Sequence, residues 1–154
     1  CLVGSEMCIR DSKYVKVGTT AGNVNTFKVR GLDEGSYFRF KITAVVGGKE
    51  GARSEPYKVV TNPRKVQTKL AKSTKKRKIT FKWKKTTGTG YQYQWSTSKN
   101  FKKNYLTKTT KKTSVTISTS KSKTYYVRVR AYKTHSNGTK YYGKWSTVKK
   151  VKVK

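Results

Sequence analysis

The stretch TYYVRVRAY, residues Thr124 to Tyr132, decides the fold of this chain. Its side chains alternate at a period of two, and the set on one side of the extended backbone is apolar: Tyr125, Val127, Val129 and Ala131. The set on the other side is mixed: Tyr126, Arg128, Arg130 and Tyr132. A two-residue period is typical of a half-buried β-strand, and the aromatic and β-branched residues of the stretch favour the same structure. The stretch therefore predicts a strand whose apolar set lies in the core.

Shorter stretches of the same kind surround this strand between Pro63 and Lys154. We predict six further strands there, at residues 66–70, 79–83, 91–95, 105–110, 115–117 and 145–153. Trp83 and Trp95 each continue the apolar side of a predicted strand, so we expect both in the core rather than in a ligand site. Seven short strands separated by turns, with no helical periodicity, predict an all-β antiparallel sandwich.

The part of the chain before Pro63 repeats this pattern in shorter form. Strands are predicted around Tyr14–Val17, Phe27–Val29, Phe38–Ala44 and Ser54–Thr61, with loops at Gly31–Ser36 and after Val45. In the third of these strands, Phe38, Phe40, Ile42 and Ala44 are expected on one face. Phe38 and Ala44 recur at one constant offset as Tyr125 and Ala131, which indicates one module used at least twice. Asn62 to Arg64 reads as the linker between the two copies.

The first twelve residues, CLVGSEMCIRDS, resemble a translated sequencing-library adapter. A transposon-end oligonucleotide read in one frame gives the same letters from Leu2 onward without a gap. We therefore expect residues 1–12 to lie outside the natural fold, as fusion segments do. Cys1 and Cys8, the two cysteines of the chain, would then belong to the adapter, and no disulfide framework is expected.

Several segments together resemble a known family. VRGLDEGSYFRFKITAVVGG followed by SEPYKVV resembles the closing half of a fibronectin type III domain, and KITFKW, GYQYQWSTS, KTYYVRVRAY and YGKWSTVKKVKV resemble the second, third, sixth and seventh strands of another. The resemblance implies an immunoglobulin-like (fibronectin type III) sandwich with one partial copy, residues 13–62, and one complete copy, residues 63–154. It also implies that Trp83 is the second-strand tryptophan and that Tyr125 is the corner tyrosine, whose hydroxyl bonds back to the preceding turn. Phe38 takes that place in the partial copy without a hydroxyl, and half a sandwich is expected to be unstable alone.

Charge divides the chain sharply at Pro63. Residues 63–154 contain 28 lysines and arginines and no aspartate or glutamate. Acid–base catalysis usually needs a positioned histidine or a pair of carboxylates, and this part offers only His135, in a predicted loop. No phosphate-binding loop, zinc-ligand spacing or nucleophile elbow is present in the sequence. We therefore expect no enzyme, no catalytic or metal-binding residue and no cofactor.

The partner class is left open between three interpretations. The lysine- and tyrosine-rich second copy with its YGKWS ending is similar to repeats near the ends of surface or secreted proteins of Gram-positive gut bacteria, which implies an extracellular spacer or adhesion module beside other domains of the same chain. Its lysines would then contact anionic cell-wall polymers weakly, or would only keep the spacer soluble and its sheet edges unpaired. Nucleic acid is disfavoured because bases are commonly read by arginine, and only four arginines follow Asn62.

The sequence also predicts no membrane-spanning segment, because no apolar run in it approaches the roughly 20 residues that a membrane span needs.

Glycan recognition is the alternative function. Outward aromatic residues could stack on sugar rings, with neighbouring arginines as further contacts: Tyr126, Tyr132, Tyr141, Tyr142, Arg128 and Arg130. Cross-strand aromatic packing explains the same tyrosines without any ligand. The sequence favours packing.

Overall fold

The computed structural model describes the backbone of Leu2–Ile9 and all atoms of residues 14–154. The described residues form strands and no helix, in two compact units, Cys1–Thr61 and Asn62–Lys154. The strands of the first unit are β1 Leu2–Ile9, β2 Tyr14–Ala21, β3 Tyr37–Val46, β4 Lys49–Arg53 and β5 Tyr57–Val60. Those of the second unit are β6 Thr68–Lys75, β7 Lys78–Trp83, β8 Gly90–Ser96, β9 Tyr105–Thr110, β10 Ser114–Ser118, β11 Thr124–Thr134, β12 Lys140–Tyr142 and β13 Lys149–Lys152.

The second unit is an antiparallel sandwich of two sheets. One has three strands in the order β10-β7-β6, and the other has five, in the order β12-β11-β8-β9 with β13 also paired to β11. The central strand β11 is the stretch from which the fold was predicted, and its predicted core residues are buried: Tyr125, Val127, Val129 and Ala131. Trp83 and Trp95 are buried as well, at 2% and 7% exposure. Burying a side chain the size of valine or phenylalanine contributes roughly 1.5–3 kcal/mol, so the alternation supplies the driving force for closing the two sheets.

The two ends of this unit differ from the sequence-based prediction. Val66 is buried at 2% exposure but precedes the first strand, which begins at Thr68. The last strand is interrupted: β12 and β13 both pair with β11, and Trp145 lies between them outside any strand. Gly143 explains part of the interruption, because a Cβ there would meet the carbonyl oxygen of Pro63.

The described residues of the first unit form one five-stranded sheet in the order β2-β1-β3-β4, with β5 paired to β3. The strand β1 lies between β2 and β3 and pairs antiparallel with both. Leu2–Ile9 therefore pairs within the sheet, although residues 1–12 were expected outside the natural fold, because backbone N–H and C=O groups complete a sheet edge whatever side chains they carry. The adapter resemblance of residues 1–12 stays a prediction. Cys1 and residues 10–13 lie outside the described residues.

The side chains of β3 that are buried differ from those that its sequence predicts. Phe38 is buried at 2% exposure, as expected, but Ile42 is 54% exposed and Thr43 is buried instead. The pairing of β3 with β4 is irregular between Thr43 and Val45, and the Thr43 hydroxyl donates to the carbonyl of Gly51 at 2.8 Å. This hydrogen bond satisfies a polar side chain at a buried position, so the alternation changes phase within the strand.

Two further strand predictions for the first unit are also corrected. Residues 27–29 are not in a strand, and Lys49–Arg53 forms β4 where a loop was expected. Gly47 and Gly48 both have positive φ, 57° and 79°, which suits a tight two-residue hairpin turn between β3 and β4. The predicted strand at residues 54–61 shortens to β5.

Candidate functional site

Aromatic rings and guanidinium groups alternate on the outer face of the five-stranded sheet. The guanidinium carbon of Arg128 lies 4.1 Å from the ring centroid of Phe101 and 4.3 Å from that of Trp145. That of Arg130 lies 4.4 Å from Trp145 and 3.9 Å from Tyr142. The ring of Trp145 therefore contacts both arginines, in the order Phe101, Arg128, Trp145, Arg130, Tyr142, which we call the arginine–aromatic ladder.

The neighbouring strand β8 fixes the orientation of the two arginines. Gln94 is paired with Arg128 and Gln92 with Arg130 in the sheet register. Each arginine donates its Nε–H to the side-chain oxygen of its glutamine at 2.8 Å. The guanidinium groups are thereby held over the aromatic rings, a contact that arginine makes better than lysine.

Ser146 places Trp145 over this face. Its backbone N–H donates to the carbonyl of Val129 at 2.8 Å, and its hydroxyl accepts the N–H of Val129 at 3.0 Å. The serine side chain thus replaces a backbone partner, so the chain leaves strand geometry between β12 and β13. Three residues of the YGKWS motif, Tyr142 to Ser146, therefore have a structural role. Trp145 lies over the sheet face, Ser146 holds it there, and Gly143 allows the close approach to Pro63.

The two arginines of the ladder have pKa values below the ordinary value of arginine. Burial lowers the pKa of Arg128, and the charge of Arg130 lowers it further; burial also lowers the pKa of Arg130. Arginine nonetheless stays charged at neutral pH because its ordinary value is so high. Two permanent positive charges therefore lie beside each other, each in contact with the negative faces of aromatic rings.

The structure separates the six residues predicted as ligand contacts. Arg128, Arg130 and Tyr142 belong to the ladder. Tyr132 is buried at 7% exposure, with its ring 5.9 Å from that of Tyr142 and the Lys140 ammonium 4.9 Å from its centroid.

The other two tyrosines lie apart from the ladder. Tyr141 is 38% exposed and its ring lies 6.1 Å from that of His135. Tyr126 is half-buried, paired with Ser96 and Lys150. The six residues therefore form no open platform of aromatic faces.

Sequence reasoning missed Phe101 and Trp145 as members of this cluster. Phe101 follows β8 in a loop, with a left-handed φ of 54° that alternation cannot reveal. Trp145 was predicted in a strand. The spacing of Arg128 and Arg130 on one face, with aromatic residues flanking Gly143 in the next segment, is the pattern that could have indicated the ladder.

The corner tyrosine behaves differently from the family pattern. Tyr125 is buried at 7% exposure, yet the expected hydrogen bond from its hydroxyl to the preceding turn is not among those of the described residues. Thr119 holds that turn instead, with its N–H donating to the carbonyl of Arg77 at 2.9 Å and its hydroxyl to that of Lys121 at 3.3 Å. Trp83 Nε1, in the core, is the buried side-chain polar atom without a hydrogen-bond partner among the described residues.

Lysines cover the outer face of the three-stranded sheet. Ile79, Phe81 and Trp83 of β7 point into the core, so Lys78 and Lys82 point outward. Lys72 of β6 is paired with Thr80, and Lys75 is paired directly with Lys78. All four lysines are exposed. We call Lys72, Lys75, Lys78 and Lys82 the lysine face.

Groups suited to holding a metal ion are absent from the described residues: no three histidine, cysteine, aspartate or glutamate side chains lie together there. Within the same residues, no helix is long and apolar enough to cross a membrane.

Comparison with known proteins supports the fold. No protein-family model matches the chain, and no curated protein gives a significant match. Among solved structures, the FN1–FN3 domains of chicken CNTN1 align with 97% of this chain at 17% identity and a TM-score of 0.46. A two-domain fibronectin type III segment of chicken tenascin aligns with 99% of it at 14% identity and a TM-score of 0.58. This chain spans 56% of the length of the first and 85% of the second. The fold is therefore all-β and of the immunoglobulin-like, fibronectin type III kind that the sequence resemblance implied.

Proposed function

We propose that this chain is a non-catalytic extracellular module that spaces or attaches the other domains of a surface or secreted protein. Its lysine face makes weak contacts with anionic cell-wall polymers. The observation that carries the proposal is the direct pairing of Lys75 with Lys78 on an exposed face, in a unit without any aspartate or glutamate.

This pairing is unfavourable for the fold itself. Like charges directly opposite each other destabilise an antiparallel pair, and pair effects of this kind are about 0.2–1 kcal/mol. No carboxylate side chain of the same unit offsets them. An external polyanion would supply the missing counter-charge, and many solvated lysines suit a repeating anionic polymer better than a single small ligand.

The other surfaces support a non-catalytic role. His135 lies in the loop after β11, where the N–H of Asn137 donates to its Nδ1 at 3.4 Å. In the first unit, Glu50 lies 3.8 Å from Lys16 and 3.9 Å from Arg53, so its carboxylate takes part in surface ion pairs. The arginine–aromatic ladder occupies the ring faces that a sugar would need, which is why we place the contact on the lysine face.

The proposal is tested by co-sedimentation of the full chain with purified Gram-positive cell walls at graded salt. We expect binding that weakens as salt rises, and a loss of at least about fivefold in K72Q/K75Q/K78Q/K82Q. The matched control K99Q/K102Q/K111Q/K112Q removes the same charge from other exposed positions and should retain most of the binding.

Two outcomes would overturn the proposal. One is equal loss in both variants, which would show that total charge alone acts. The other is retention on DNA, but not on cell walls, near physiological ionic strength, which would favour nucleic acid as the partner.

A further inference from the structure

A small cavity lies at the beginning of the second unit, between the segment that leads into β6 and the segment that follows β7. Its volume is about 190 Å³, and its lining carries four basic side chains and two polar ones: Arg64, Lys65, Lys84, Lys85, Gln67 and Thr86. None of these residues belongs to the lysine face or to the ladder. We call this the Lys84 cavity.

Hydrogen bonds fix both walls of the cavity. The N–H of Lys84 donates to the carbonyl of Gln67 at 2.9 Å, and the N–H of Arg64 donates to the hydroxyl of Thr87 at 3.2 Å. The N–H of Thr86 donates to the hydroxyl of Tyr91 at 3.1 Å, which ties the second wall to the core. The basic residues therefore stand on two segments held at a set separation.

The close approach of Gly143 to Pro63 holds the first wall from outside. A Cβ on Gly143 would meet the carbonyl oxygen of Pro63 and come within 3.5 Å of that of Arg64. Pro63 itself is buried. A site whose walls are already in place loses less entropy when it binds a ligand, so affinity is higher than for lysines spread on an open face.

The charge of the cavity selects the class of ligand. Four basic side chains line it, and residues 63–154 contain no aspartate or glutamate. Guanidinium and ammonium groups bind phosphate oxygens by charge-assisted hydrogen bonds, and a threonine hydroxyl or a glutamine amide can add further ones. The volume of about 190 Å³ is enough for one tetrahedral oxyanion, and the cavity is open to solvent, since its lining residues other than Thr86 are exposed.

We propose that the Lys84 cavity is a discrete binding site for a phosphoryl group, either free phosphate or one phosphodiester of a longer polymer. The site is independent of the lysine face, which makes diffuse contacts over an open sheet. Lys65, Lys84 and Lys85 supply the charge, and Thr86 lies among them as a hydrogen-bonding group.

The test is a titration of the full chain with inorganic phosphate, followed by backbone amide shifts at constant ionic strength maintained with chloride. We expect saturable shifts centred on the amides of Gln67, Lys84 and Thr86. The variant K84Q/K85Q should weaken phosphate binding at least about tenfold, and K111Q/K112Q, which removes two adjacent exposed lysines from the turn after β9, should change it less than twofold.

The proposal is overturned if wild-type shifts fail to saturate or appear equally with chloride alone. It is also overturned if the two variants weaken binding equally, because the effect is then diffuse. Amide spectra of the variants without phosphate serve as the control that each variant is folded.

The variant Gly143→Ala is a second test of the same site. It displaces the first wall without changing the charge, and we expect it to weaken phosphate binding severalfold.

A second titration, with poly(glycerol phosphate), distinguishes the two sources of the ligand. Binding of both compounds supports a site that takes a phosphodiester, and binding of inorganic phosphate alone supports a site for free phosphate. Failure of both overturns the site. Cell-wall binding by K84Q/K85Q is measured in parallel, so loss of the cavity site and loss of the lysine-face function are separately visible.

Discussion

Trp145 shows how one side chain can complete a surface. It contacts two guanidinium groups, which are themselves oriented by glutamines of the neighbouring strand β8. Its position depends on Ser146, whose hydroxyl takes the place of a backbone acceptor for Val129. A residue that a sequence pattern assigns to a strand therefore acts as the central member of a stacked cluster.

Replacing Trp145 should destabilise the second unit. Each cation–π contact is worth roughly 0.5–1 kcal/mol at an exposed site and about 2 or more when desolvated, so Trp145→Ala should lower the free energy of unfolding by about 2–3 kcal/mol. Trp145→Phe should lose about half as much. Urea unfolding followed by circular dichroism measures both, with the exposed neighbour replaced in Lys144→Ala as the control, expected within about 0.5 kcal/mol of wild type. Equal stability of Trp145→Ala and wild type would contradict the stacking account.

Tyr93 should make the free energy of unfolding of the second unit depend on pH in the alkaline range. Burial raises the pKa of its hydroxyl above the ordinary value of 10.0. The unfolded chain then ionises first, so the contribution of the neutral tyrosine is complete below about pH 10 and is lost as pH rises through the raised value. We expect the free energy of unfolding to fall more steeply between pH 9 and pH 11 in wild type than in Tyr93→Phe. Parallel pH profiles for the two proteins would contradict this.

At the scale of the element, alternation predicted the strands of the second unit well and those of the first less well. The strand β11 has sheet neighbours on both sides and a core on one face, so its period of two maps directly onto burial. The strand β3 lies in a unit for which the described residues form only one sheet, and a hydroxyl hydrogen bond at Thr43 shifts its phase. The ladder escaped prediction because its members come from a loop, a strand and an interruption between strands.

Removing Leu2–Ile9 should separate the first sheet, because β1 joins β2 to β3. Deleting residues 1–12 leaves β2 without its pairing to β1 and exposes one edge of β3. We expect amide hydrogen exchange in β2 and along Phe38–Val45 to accelerate by at least about tenfold, while exchange in β11 stays unchanged. A replacement of residues 2–9 by an unrelated strand-forming sequence is the matched control and should restore protection. Unchanged exchange after the deletion would contradict the role of β1.

The whole molecule joins two units of different electrostatic character. All acidic residues that follow the adapter-like segment lie before Pro63, whereas the second unit carries 28 basic residues without one aspartate or glutamate. Repulsion among solvent-exposed charges weakens as salt shortens the screening length from about 30 Å at 0.01 M to about 8 Å at 0.15 M.

Salt should therefore stabilise the second unit selectively. We expect its free energy of unfolding to rise by about 1–2 kcal/mol between these two salt concentrations, with a larger gain in phosphate than in chloride. The first unit, with mixed charges, should change less. Residue-specific hydrogen exchange separates the two responses, and a second unit that is indifferent to salt would contradict the repulsion that motivates the lysine-face proposal.

The arginine–aromatic ladder also bears on the order in which this protein can acquire its structure during synthesis. Its members are spread from Phe101 to Trp145, so a growing chain that ends before Trp145 leaves both guanidinium groups without their shared ring. Chains emerge from the ribosome from the amino end onward, and the ring lies between β12 and β13, the last two strands of the second unit. The second sandwich should consequently reach full stability only after almost all of it has been translated, which makes a stalled or shortened product a ready substrate for proteases.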